Sequence, residues 1–99
     1  MQLGELVTEI RSKNAGPFWV TIDIFCGNND VYENVSRSLA TETVANLYKL
    51  PVAQLQRYNL PTLHVIKFSF PRPIVQGSQG DRDMHGAQYS LLLSEFTLG

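Results

Sequence analysis

Phe18-Trp19-Val20-Thr21-Ile22-Asp23-Ile24-Phe25 is the stretch on which the fold turns. Aromatic and β-branched side chains dominate it and alternate, so that Phe18, Val20, Ile22 and Ile24 share one face. That alternation predicts a half-buried β-strand, since a helix would repeat its apolar positions every three or four residues. Punctuation stands on both sides. Arg11-Ser12-Lys13-Asn14-Ala15-Gly16-Pro17 ends in a Gly-Pro turn signal before the strand, and Gly27-Asn28-Asn29-Asp30 stops it.

Outward from the strand the pattern changes twice. Upstream, Leu3, Leu6, Val7 and Ile10 have helical spacing, yet Leu6, Thr8 and Ile10 alternate; period alone leaves both readings open. Downstream, residues 30–49 are helical, with Val31, Val35 and Leu39 on one face and Val44, Leu47 and Tyr48 continuing the stripe. Two helical pieces meet near Ser38 to Thr41, with Thr41 as an N-cap, and Leu50-Pro51 ends the run. Leu63 to Phe70 alternates again as a second strand. Residues 74–88, holding Gly77, Gly80 and Gly86, lack a hydrophobic pattern, and so long a loop in so small a domain points to function. Tyr89 to Leu98, rich in leucine, reads as a final strand. The sum is an α+β fold over residues 1–99 as a single domain: a mostly antiparallel sheet of about four strands with helix packed on one face.

Composition narrows the function classes. The 99 residues are 43% apolar and 17% charged with a formal net charge of -1, an ordinary globular balance without the basic surplus that phosphate neutralisation needs. Nucleic acid is therefore not an expected partner. No apolar run reaches the roughly 18 residues of a membrane span. Nothing at Met1-Gln2-Leu3-Gly4-Glu5 reads as a secretory leader, and the single Cys26 suits a reducing compartment. A cytoplasmic protein is expected, with no membrane partner.

Charge is local rather than global. Arg11 and Lys13 fall within one short polar turn, whereas Asp81 and Asp83 are the only acids between Glu42 and Glu95. Arg11 offers a planar fork to a carboxylate or phosphate, Lys13 a mobile point charge, and Gly16 a backbone that an anion can approach. This reads as an anion pocket or, more plainly, as a solvated connection. Gly80-Asp81-Arg82-Asp83 admits an acid/base pair. With His85 it admits a divalent-metal site, although no fourth ligand is evident. The plainer alternative is an ion-pair lock between Asp81 or Asp83 and Arg11, Lys13 or Arg72. His64 is a candidate proton-transfer residue or a hydrogen-bonded histidine at the edge of the core. Cys26, without a neighbouring cation, reads as a small buried hydrophobe. Trp19, Phe25 and Phe70 are the aromatic candidates for a partner surface.

Taken together, Arg11-Ser-Lys-Asn-Ala-Gly-Pro-Phe18, Phe70-Pro-Arg-Pro73 and Gly80-Asp-Arg-Asp83 with Gly86-Ala-Gln88 resemble a family of small proteins defined only as a domain of unknown function (DUF4387). The likeness runs over nearly the whole chain. More distantly, Arg57-Tyr58-Asn59-Leu60-Pro61-Thr62-Leu63-His64 followed by Phe68 is similar to the small C-terminal domain of AtuA-like (acyclic terpene utilisation) proteins. That domain carries an Arg-Ser-Gly-Asp-Lys-Gly segment where Arg11, Ser12 and Gly16 are comparable and the Asp-Lys order is not reproduced. The resemblance implies a ferredoxin-like sandwich. It also implies a hairpin of Leu3 to Arg11 with Phe18 to Phe25 about the polar turn, and docking onto a large AtuA-like chain.

Two functions from different classes follow. One is the small subunit of a heteromeric catabolic enzyme acting on a carboxylate or acyl-CoA substrate. Its catalytic candidates are Lys13, Asp81 and Asp83, and Arg11, Ser12, Asn14, Gly16, Arg72, Gly80 and Arg82 are expected to bind ligand, with no cofactor or metal. The other is a homo-oligomeric module that binds a small anionic metabolite between paired sheets without catalysis of its own. A free-standing metal hydrolase using Asp81, Asp83 and His85 ranks behind both.

Overall fold

The computed structural model describes residues 1–16, 18–71 and 86–98. Its elements are α1 (Leu3–Leu6), β1 (Glu9–Asn14), β2 (Trp19–Phe25), α2 (Asn29–Ser38), α3 (Thr41–Leu47), β3 (Gln56–Leu60), β4 (Val65–Pro71) and α4 (Gly86–Ser94), with a single 3-10 turn at Val52–Gln54. They form an α+β fold of the ferredoxin-like kind, a four-stranded antiparallel sheet with the helices on one face. Strand order is β1-β2-β4-β3. Two hairpins, β1–β2 and β3–β4, are joined through α2 and α3, and their inner strands β2 and β4 pair antiparallel.

Alternation decides which face is buried. Val20, Ile22 and Ile24 of β2 and Ile66, Phe68 and Phe70 of β4 are fully buried against one face of the sheet. Tyr32 and Val35 of α2, Leu39 just after it, Val44 and Ala45 of α3 and Tyr89 and Leu93 of α4 complete the same core. Phe70 stacks on Tyr48 at 5.2 Å and meets Tyr89 edge-on at 5.7 Å, so it belongs to the core and not to a partner surface. Phe18, placed with the core face by its spacing, is 64% exposed because it lies in the turn before β2 begins.

Three expectations need correcting. The segment from Leu3 is not one strand. Leu3–Leu6 is a helical turn, with Gln2 N–H donating to Glu5 Oε1 at 3.0 Å, and the hairpin starts only at Glu9. Tyr89 to Leu98 is not a strand either, because Gly86–Ser94 is helical, and only Thr97 makes an isolated bridge, to Gln2. Leucines without β-branched neighbours favour helix, and Tyr89 and Leu93, four apart, bury together. The fourth strand is instead Gln56–Leu60, a polar sheet edge. Thr41 is the first residue of α3 rather than its cap, which is Ala40.

Arg57 binds the layers together. From β3 it lies over the Phe68 ring at 5.6 Å and donates to Ser36 O (2.9 Å) and Leu39 O (2.6 Å), carbonyls left open at the end of α2. Gly16, at φ +78°, closes the β1–β2 turn, where Ala15 N–H donates to Trp19 O at 2.8 Å.

Candidate functional site

The sheet face opposite the helices carries no described element. Its side chains form rows across the strands: Glu9, Phe25, Val65 and Leu60; Arg11, Asp23, Lys67 and Tyr58; Lys13, Thr21, Ser69 and Gln56. At the β1 edge of this face lies a pocket of ≈ 200 Å³ lined by Arg11, Ser12, Lys13, Asp23 and Phe25.

The residues behave differently within it. Arg11 and Lys13, two apart on β1, project to the same side about 7 Å from each other. Arg11 Nε lies 3.3 Å from Glu9 Oε2, but both groups are well exposed and the pair is weak, which leaves the guanidinium available. The Lys13 side chain has no ion pair or hydrogen bond among the described residues. Asp23 faces Arg11 across the ladder, and its Oδ1 is 3.6 Å from Lys67 Nζ, close enough for ion pairing and too far for a hydrogen bond. That Oδ1 and the Thr21 hydroxyl are buried without a hydrogen-bond partner among the described residues. Two cations, one restrained carboxylate and an aromatic wall suit a carboxylate or phosphate group with an apolar neighbour.

The expected site residues divide by strand parity. Arg11 and Lys13 are brought together on the open face. Ser12 borders the pocket while its hydroxyl accepts from Ser90 N–H of α4 at 2.9 Å. Asn14 pairs with Val20, and Gly16 serves the turn. Arg72, Gly80, Asp81, Arg82, Asp83 and His85, with the proposed lock and metal set, lie outside the described residues. The described chain stops at Pro71, which pairs with Trp19 beside the β1–β2 turn. It resumes at Gly86, about 6 Å up the helix from the Ser90 contact with Ser12. No group of three metal-ligating side chains exists among the described residues, nor any helix long and apolar enough to cross a membrane.

Two other candidates are settled by their surroundings. Cys26 is 2% exposed, and burial pushes its thiol up to about 11, so it is a protonated core residue at neutral pH. His64 sits in the β3–β4 turn at φ +55°, its ring 6.4 Å from Tyr32 on the helical side and away from the pocket. Asp23 and Lys67 are the site residues that sequence reasoning passes over. The signal for Asp23 was present, since burying Ile22 and Ile24 sends it to the other face.

No curated protein and no solved structure matches this chain. The family model described as Domain of unknown function (DUF4387) matches residues 3–97, and the chain belongs to that family.

Proposed function

We propose that this chain is the small, cytoplasmic subunit of a heteromeric catabolic enzyme of AtuA-like kind, holding the anionic group of a carboxylate or acyl-CoA substrate on Arg11 and Lys13. The observation that carries this reading is a mismatch of size and chemistry. The pocket has the charge for one anionic group, but at ≈ 200 Å³ it falls below the ~300–1,000 Å³ of sites that enclose a whole small ligand. A partner chain then supplies the remaining walls. In this reading Arg11 orients the anion by its fork, Lys13 neutralises it, and Phe25 shields the adjoining carbon chain. Asp81 or Asp83 acts as base, with Arg72 and Arg82 adding positive charge.

Tagged chain recovered from its native cell tests this. A large chain co-purifying in fixed ratio, with turnover only in the complex, is the expected result; recovery of the small chain alone removes the reading's main support. The sheet face that no described element covers favours a second reading, a homo-oligomeric anion-binding module, which predicts full ligand affinity without any large chain.

A further inference from the structure

The sheet face that no described element covers is self-complementary, and we propose that a second copy of this chain covers it, face to face, about a two-fold axis that runs parallel to the strands between β2 and β4. Strand order β1-β2-β4-β3 makes this operation specific. It lays β2 over β4 of the second copy and β1 over β3, while each row of side chains stays at its own level.

The consequences can be read residue by residue. Asp23 comes to face Lys67 of the second copy, and Lys67 its Asp23, so the opposite charges of the central row meet twice. Thr21 faces Ser69 of the second copy, hydroxyl to hydroxyl, and Phe25 faces its Val65, apolar to apolar. Opposite charges that meet twice in the central row, with hydroxyl on hydroxyl and apolar on apolar in the rows beside it, single out a second copy over an unlike chain. Toward the edge, Arg11 meets the aromatic ring of Tyr58, which is 47% exposed in the single chain.

Scale is adequate for association. Four strands ~4.8 Å apart, each five to seven residues long with three or four side chains on this face, cover about 19 by 20 Å, so two faces with side-chain relief approach the ~1,200 Å² at which stable complexes begin. Sheets packed in this way sit about 10 Å apart with strands crossing near 30°, which displaces the edges more than β2 and β4. The pocket at the β1 edge stays open sideways and gains a wall from Tyr58 and Gln56 of the second copy.

This proposal stands apart from the anion reading, because association is measured without ligand. Sedimentation equilibrium of the wild-type chain should show a concentration-dependent dimer. Asp23→Lys and Lys67→Asp, each checked for folding by circular dichroism, should each weaken self-association at least tenfold. Mixing the two variants should restore a dimer, since the cross-chain charges then match while the pair within each chain stays broken. Tyr58→Arg, an exposed change that leaves the core untouched, should also weaken association by placing a cation against Arg11. A wild-type monomer at all concentrations overturns the proposal. So does a mixture of folded variants that remains monomeric, or undiminished association of the Tyr58→Arg chain.

Discussion

Arg57 holds a structural post that its charge alone would not suggest. Its guanidinium is aimed at carbonyls rather than a carboxylate, and burial lowers its pKa from the ordinary value. Charge-assisted hydrogen bonds of this kind contribute ~1.5–3 kcal/mol. Arg57→Ala should therefore cost about 2 kcal/mol in chemical denaturation, and Arg57→Lys should recover little, because one ammonium cannot reach both carbonyls. Gly16→Ala should cost about 1–2 kcal/mol through its positive φ alone, since a Cβ there meets open space. Cys26 supplies a pH signature. Its pKa is raised by burial from 9.0 to about 11, so the folded chain keeps the proton that the unfolded chain loses. The associated stability is complete below pH 9 and declines as pH rises toward 11, by about 2 kcal/mol. Burial raises the Tyr48 pKa as well, which adds a decline of the same sign at higher pH. In Cys26→Ala the fall between those pH values should shrink, as measured by denaturation midpoints across the range.

Elements were legible in proportion to how strongly one face of each is buried. Trp19–Phe25 and Val65–Pro71 are central strands, and their buried Val20, Ile22, Ile24, Ile66, Phe68 and Phe70 write the alternation into the sequence. The same holds for Val31, Val35 and Leu39, a stripe along α2 and its C-cap in which Val35 and Leu39 are buried and Val31 partly so. Gln56–Leu60 is an edge strand with mostly exposed side chains, so no period marks it. The cations of the site were visible because Arg11 and Lys13 are two apart, whereas Asp23 and Lys67 join them only through strand register, which a sequence does not display. Helix α4 was misread because leucines bury equally well in either element. A pair of substitutions separates the two geometries. In a strand Leu91 and Leu93 would share a face, whereas in α4 Leu91 is 58% exposed and Leu93 fully buried. Leu93→Ala should cost ~2–5 kcal/mol, whereas Leu91→Ala should stay within ~0.5 kcal/mol. Equal losses would favour a strand.

At the scale of the whole molecule, one face of a thin sandwich builds the core and the other is left to chemistry. The helices supply apolar cover for one side of the sheet, and the opposite side presents Arg11, Lys13 and Lys67 against Glu9 and Asp23, a mildly cationic surface on a chain of net charge -1. Short-range recognition of one anionic group, rather than long-range steering, is what such a surface can provide, and its strength should fall as salt rises. A ligand that binds only the folded chain raises stability by about 2.7 kcal/mol at one hundred times its dissociation constant. The most direct measurement is therefore the thermal stability of the chain, alone and in complex with the large chain recovered with it, titrated with short carboxylates and CoA thioesters, for the wild type and for the Arg11→Ala/Lys13→Ala double variant. A midpoint that climbs with ligand in the wild type and stays flat in the double variant is the expected result. A wild type indifferent to every such anion both alone and in the complex, or a double variant that responds as the wild type does, would contradict the assignment of Arg11 and Lys13 as the anion site.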